Sequence, residues 1–447
     1  MLIYSVLPAR YHASYYYRVF VPLKTIEDMG LAEVVLDDLS PNVPLQKRVN
    51  TVAHSDICLF YQPTSESLLH DMKTMNDWKQ AKDVNGLFHC PPSFVVDTDD
   101  DLFSVHPMNP AFQSLGIRTP DGKDLEDGCE IGFANEAGNR QAMWRDGTNG
   151  FDLKRNRATL QALRNLAQGA DAVTTSTPGC LEYVQRELKP RQGFVNPNAV
   201  RFDHYPDLKG VHISKDNPNE VRILWQGSPT HFEDWYAIRH QLSSVLRKYP
   251  HARLVIWGVV YPWVMEMLNP DQVIHHKWLP YELYRPTLVT MGHDINLAPL
   301  LPTRFSSARS AIKWYESSLL KQPAATLAQR AGAFNEIEHR QTGMLFDTPQ
   351  EFEANLCELI EDATLRKSLG ENARDWVREN RDAFKLAPKL MEFYESVRKE
   401  RAERTPQMTE EEAAAMKAEM EKARLEELAK KEPKDGEPVQ PVGAGVG

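Results

Sequence analysis

The feature that most constrains this chain is a rhythm. Short apolar runs alternate with longer amphipathic ones, twice over, and a polar stretch separates the two series. In the first series Leu2–Leu7, Ile57–Tyr61, Phe94–Val96 and Ala172–Ser176 have the length and composition of buried strands, and Leu153–Gln168 and Pro178–Leu188 carry helical spacing. In the second, strands are expected at Val221–Gln226, Arg253–Trp257, Ile295–Pro299, Ala324–Leu327 and Met344–Phe346. Helices are expected there at Phe232–Lys248, Leu283–Met291, Ala308–Leu320, Gln350–Glu361 and Leu365–Asn380.

Repeated strand–helix units imply parallel sheets, because a parallel neighbour is reached only by a crossover, and the crossover helices cover both faces. Ligands then collect at the carboxyl ends of the strands. Prolines, asparagines and aspartates accumulate over Asn196–Asn219, the composition of a linker. The expected organisation is an α/β chain: a Rossmann-like acceptor domain over 1–205, a linker over 206–219 and a Rossmann-like donor domain over 220–382. A terminal helix over 383–403 packs back across both, and a charged tail occupies 404–447. The two sheets face each other across a cleft. The glycine-rich, acidic stretch Pro107–Gly150 breaks the rhythm and reads as a long loop excursion. In the tail, Thr409 followed by Glu412 is a capping-box signature opening a helix to about Glu432, either a solvated charged helix or a surface for self-association. The sequence after it, PKDGEPVQPVGAGVG, is rich in proline and glycine and is expected to be disordered.

Composition narrows the function classes. At 447 residues the chain exceeds one ordinary core, and its 42% apolar and 26% charged residues are a globular balance. No run approaches the roughly 18–20 apolar residues of a membrane helix. The N-terminus lacks a basic start and a small-residue cleavage site. The five cysteines are dispersed without CxxC spacing, which argues against a disulfide framework and a zinc site, so the expected location is the reducing cytoplasm. A net charge of −10 disfavours a broad phosphate-backbone footprint on duplex DNA.

The chemistry concentrates in Asn296–Phe346. A strand, INLAPL, leads through a polar turn, PTRFSS, into ARSAIKWYESSLL. At 100° per residue Arg309, Lys313 and Glu316 share a stripe, beside an apolar stripe of Ala308, Ile312, Tyr315 and Leu319. Two cations on a helix opening after a strand, with backbone N–H groups at Ser307–Ser310, make an anion site suited to a diphosphate. Glu316 would accept hydrogen bonds from a ribose. The alternative is a solvated helix with a Lys–Glu pair.

The string FSSARSAIKWYESSLLKQPAATLAQ, with FNEIEHRQTGMLF after it, resembles the donor half of retaining GT-B glycosyltransferases of the family 4 type. RILWQGSPTHFEDW resembles the Gly-Ser-x-x-His-x-x-Asp opening of a subset of them, and YYYRVFVPLKTIEDMG, DTDDDLF and ADAVTTSTPGCLEYV fall where the family's first domain places its motifs. The resemblance spans about residues 3–395. It implies transfer of a sugar, of the hexosyl type, from a nucleoside-diphosphate sugar to an acceptor hydroxyl, with retention and without metal or other cofactor. It places Gly227 and Ser228 at the donor phosphates, Arg309, Ser310 and Lys313 on the leaving diphosphate, and Glu316 on the ribose; His231 either anchors the N-terminus of its helix or stands near those phosphates. Two departures stand out. Ala308 occupies the position of the first of two glutamates that relatives carry, and SVLPARYHASYYYR replaces a glycine-rich turn, with Arg18 the basic residue expected to reach phosphate. These departures keep open an inactive GT-B scaffold used for binding or assembly; a sugar-nucleotide epimerase would share the architecture.

Asp99-Asp100-Asp101 follows a strand of the first series. An Asp-x-Asp holds Mn²⁺ in another glycosyltransferase class; in this fold Asp100, Asp101 or His106 is expected instead to face the cleft and orient the acceptor, or the cluster simply caps the next turn. The acceptor itself, whether glycan, lipid, protein or modified nucleobase, is not legible, nor are the donor sugar and the oligomeric state.

Overall fold

The computed structural model describes residues 1–6, 13–37, 52, 54–64, 66–77, 81–82, 88–89, 91–134, 140–205, 217, 219–290, 292–320, 323–412, 414–415, 418 and 422. Two six-stranded sheets dominate it. The first runs, edge to edge, Gly193–Val195, Ala172–Thr175, Ser93–Thr98, Ile57–Tyr61, Leu2–Val6 and Glu33–Asp37. The second runs Val273–His276, Ala252–Gly258, Val221–Gly227, Ile295–Ala298, Ala325–Gln329 and Met344–Phe346. Every pairing within both sheets is parallel. Central strands such as Ser93–Thr98 and Ile295–Ala298 are buried along their whole length, as a sheet covered on both faces requires.

The chain passes between the sheets twice, near residue 200 and near residue 382. The two passages lie side by side, joined by Val200 N to Arg381 O at 2.7 Å and Ala383 N to Val200 O at 3.0 Å. Helix Ala383–Arg404 then returns to the first sheet, where Ala387, Leu390, Met391, Tyr394 and Val397 complete a core with Ile3, Leu23, Ile26, Ile57 and Val95. The linker expected over 206–219 lies almost entirely outside the described residues, as do Leu7, Cys90 and the tail beyond 422. The capping box at the start of the tail is formed: Glu412 N donates to Thr409 Oγ1 at 3.2 Å and Thr409 N to Glu412 Oε2 at 3.0 Å.

Three expectations change. The helix read over Ala308–Leu320 is two short helices, Arg304–Ala308 and Ile312–Ser318, because Thr303 accepts from Ser306 N and starts a turn earlier, and Arg309 then takes an extended backbone at ψ 163°. The N–H groups of Ser307 and Arg309 are consequently used inside that turn, on Thr303 O and Ser306 O at 2.9 and 3.2 Å. The excursion over Pro107–Gly150 is a folded insertion rather than a loop. It contains the antiparallel strands Glu130–Ala134 and Arg140–Arg145, and its Phe112, Leu125 and Ile131 share a core with Val105, Phe151 and Leu153 on either side of it. Phe305, from the second half of the chain, is buried in that same core. The half-exposed edge strands Glu33–Asp37 and Val273–His276 carried no periodic signal strong enough to be read.

Candidate active site

A cavity of about 290 Å³ opens between the carboxyl ends of the two sheets. From the first half it is lined by Ser14, Asp99 and Asp100, and from the second by Gln226, Gly227, Ser228, His231, Trp257, Trp278, Tyr284, Arg309, Ser310, Lys313 and Glu316, among others.

Gly227 ends the first strand of the second sheet and is paired with Gly258 on the neighbouring strand. A Cβ on Gly227 would come within 2.9 Å of the His231 ring, and one on Gly258, at φ +115°, within 2.7 Å of Gly227 O. Gly227 therefore keeps the cavity lining at backbone height, and Gly258 lets the neighbouring strand end lie close against it. The chain then turns through Ser228 into helix Phe232–Lys248, with His231 at its N-cap.

His231 sits between the two cations. Its Nε2 lies 3.3 Å from Lys313 Nζ and 3.4 Å from Arg309 Nη1, while Nδ1 lies 2.8 Å from Asp234 Oδ2. Arg309 also reaches the opposite wall, with Nε 3.2 Å from Asp100 Oδ1. Burial, reinforced by Arg309, lowers the Lys313 pKa to about 8 against the opposing pull of Asp234 and Glu316. Burial, then Lys313 and Arg309, push His231 down to about 3. Ser310 faces the cavity with its hydroxyl held by Asn198 Nδ2 at 2.6 Å.

Glu316 is 4% exposed. It accepts from Tyr17 OH at 3.0 Å, Gln226 Nε2 at 3.0 Å and Tyr284 OH at 3.2 Å, and Tyr284 also donates to Gln226 Oε1. Tyr17 comes from the first half of the chain, on the helical stretch that follows its first strand, so the carboxylate is held from both sides of the cleft.

Not every expected residue arrives. Arg18 does not line the cavity: it is buried beneath it, gripping Asp97 through Nε and Nη2 at 2.9 and 2.6 Å and the Asn196 carbonyl through Nη1 at 2.5 Å. The three aspartates diverge. Asp99 lines the cavity and accepts from Tyr61 OH and Gln62 Nε2 at 2.9 and 2.7 Å; burial and the adjacent Asp100 raise its pKa. Asp100 meets Arg309. Asp101 is buried away from the cavity, where it caps the next turn through Phe103 N and pairs with Arg186 at 3.1 Å. His106 lies outside the cavity lining, its Nδ1 accepting from Met108 N at 3.2 Å. Tyr17, Asp234, Tyr284 and Gln226 are site residues that sequence reasoning did not assign a role, and Asp99 was read only as one of the acidic cluster. Asp234 stood within the His-x-x-Asp pattern, whereas Tyr17 and Tyr284 reach the site through tertiary packing that leaves no local signal.

Among the described residues no group of three or more histidine, cysteine, aspartate or glutamate side chains is arranged to hold a metal ion, and no helix is long and apolar enough to cross a membrane.

No family model matches the sequence, and no curated protein matches it. Solved structures do. Sucrose-phosphate synthase from Thermosynechococcus elongatus superposes with a TM-score of 0.58 at 12% identity, over 89% of this chain and 98% of that one. HepE from Anabaena, in complex with UDP and glucose, gives 0.54 at 13% identity, over 89% and 100%. A glycosyltransferase from Rickettsia africae gives 0.52 at 12% identity, over 89% and 98%. The fold is GT-B. The GT-B cleft between the two sheets is where the cavity lies.

Proposed function

We propose that the protein is a glycosyltransferase that moves a hexosyl group from a nucleoside-diphosphate sugar to an acceptor hydroxyl, with retention, in the cytoplasm and without a metal. The observation that carries this reading is the convergence in one cavity of a backbone-lined floor at Gly227–Ser228, two cations at Arg309 and Lys313, and a buried carboxylate at Glu316. The division of the chain at 206–219 into an acceptor and a donor domain belongs to the same reading.

When the bond between the sugar and the diphosphate breaks, negative charge builds on the departing diphosphate and the sugar becomes oxocarbenium-like. Arg309 and Lys313 are the groups placed to meet that charge, and two fixed side-chain cations supply what a divalent ion would otherwise supply. Gly227 and Ser228 let phosphate approach the backbone. Glu316, already held by Tyr17, Gln226 and Tyr284, is oriented to receive a ribose hydroxyl. Asp99 and Asp100 form the opposite wall and are the carboxylates placed for the acceptor side. HepE, whose structure was determined with UDP and glucose, supports a nucleotide sugar as the ligand class.

Thermal unfolding across a panel of UDP- and GDP-sugars is expected to reveal one stabilising donor. Lys313→Ala and Glu316→Ala are expected to abolish donor hydrolysis and transfer while leaving the fold intact. Turnover at the wild-type rate in both variants would overturn the assignment. A second reading, a binding scaffold without turnover, is favoured by Ala308 and by the Asp100 carboxylate already seated on Arg309; donor binding without hydrolysis or transfer to any acceptor would select it.

A further inference from the structure

Asp234 sits in the first turn of helix Phe232–Lys248 and is 3% exposed. Its two oxygens point to two different partners. Oδ2 faces His231 Nδ1 at 2.8 Å, and Oδ1 accepts the Leu301 backbone N–H at 2.8 Å. Leu301 follows Pro299 and Leu300, which form part of the cavity wall.

The proton on His231 can be placed by elimination. Its Nε2 faces Lys313 Nζ and Arg309 Nη1, and an ammonium and a guanidinium have only donors to offer. Nε2 is therefore the acceptor, and the single ring proton belongs on Nδ1, where Asp234 receives it. A protonated imidazole would aim a third N–H at two cations. The ring stays neutral, its pKa held near 3 by burial and by those two cations.

We propose that Asp234 is the positioning residue of the diphosphate site: by locking His231 as its Nδ1–H tautomer, it aims one lone pair at Arg309 and Lys313 and fixes both cations toward the cavity. This rests on the nucleotide-sugar reading of the same cavity. Asp234→Asn separates the alternatives cleanly. An amide offers one acceptor and one donor where Asp234 needs two acceptors. Either the amide nitrogen faces the Leu301 N–H, or the ring flips tautomer and turns Nε2–H against the cations. A purely electrostatic Asp234 gives the opposite sign, because removing a negative charge beside two cations tightens anion binding.

The test is calorimetric titration of the full-length protein with UDP and GDP, comparing wild type with Asp234→Asn, His231→Gln and His231→Leu. Asp234→Asn is expected to weaken nucleoside-diphosphate binding by about tenfold or more in protein that still folds cooperatively. The ¹⁵N imidazole signal of His231, identified by its loss in His231→Gln, is expected to move from the Nδ1–H to the Nε2–H tautomer. His231→Gln, whose amide presents an oxygen to the cations and an N–H to Asp234, is expected to stay within about threefold of wild type, and His231→Leu to fall with Asp234→Asn. Equal or tighter binding in Asp234→Asn overturns the proposal. If that variant fails to fold, equal affinities in His231→Gln and His231→Leu overturn it. A wild-type protein that binds neither nucleotide overturns the functional reading instead, and a wild-type His231 protonated on Nε2 then overturns the positioning role on its own.

Discussion

Lys313 is, beside Asp99, a side chain through which pH reaches the cavity. Burial, with Arg309 adding to it, brings its pKa down to about 8. The sign follows from a depressed base: below about 8 it is charged in both the folded and the unfolded chain, and folding carries the full cost of burying that charge. As pH rises from about 8 toward the ordinary lysine value, the folded chain releases its proton first and the cost is relieved. Anion binding runs the other way. The affinity for UDP is expected to fall as pH climbs through about 8, and Lys313→Arg, which stays charged, is expected to flatten that fall in a calorimetric pH series. Arg18 shows what a single residue conceals. Read along the chain, it is the basic residue after the first strand and resembles a phosphate ligand. Its actual partner, Asp97, lies 79 positions away, on a strand brought alongside only by sheet order. Arg18→Met leaves a buried carboxylate unpaired and is expected to cost about 3–5 kcal/mol in urea denaturation.

At the scale of elements, the short segment Arg309–Ala311 matters more than the helices on either side. Periodicity placed Arg309, Lys313 and Glu316 on one stripe, and the three do meet in one cavity, but the stripe is not continuous. Arg309 leaves the helical path, and that departure turns its side chain toward Asp100 across the cleft. The sequence did not reveal this break because Thr303 competes for the start of the helix one turn early, a local choice that apolar spacing does not encode. The same turn packs closely on the other half of the chain. Thr177 Oγ1 donates to the Ala308 carbonyl at 2.7 Å, and a Cβ on Gly179 would lie 2.5 Å from Ser307 O. That neighbour is backbone and yields little. Gly179→Ala is expected to lower stability by about 1–3 kcal/mol, seen in the unfolding midpoint, and to reduce kcat/KM for the donor by shifting Arg309.

Across the whole molecule, the two sheets were legible because their central strands carry short apolar runs, Phe94–Val96 and the Ile295 strand among them, and are buried along their whole length as a sheet covered on both faces requires. The insertion over Pro107–Gly150 was not, because its core is assembled from scattered single residues and borrows Phe305 from far along the chain. The terminal helix ties the ends of the molecule together. A chain truncated after residue 382 would expose the first-sheet core that Leu390, Met391, Tyr394 and Val397 cover. It is expected to be recovered aggregated. Truncation after residue 412 removes none of that core and is expected to leave the unfolding midpoint unchanged.

The contact between Asp100 and Arg309 joins the two walls of the cleft, and it places a carboxylate on a cation that a departing diphosphate would also occupy. If the cavity holds a nucleoside diphosphate as proposed, Asp100 is a tethered competitor for it, present at an effective concentration that no dilution changes. Such a competitor weakens the hold on the spent nucleotide and shortens its residence, in a class of reaction where release of product often limits the cycle. Asp100→Asn is expected to slow dissociation of UDP in stopped-flow displacement, so that a protein binding its product more tightly turns over less often.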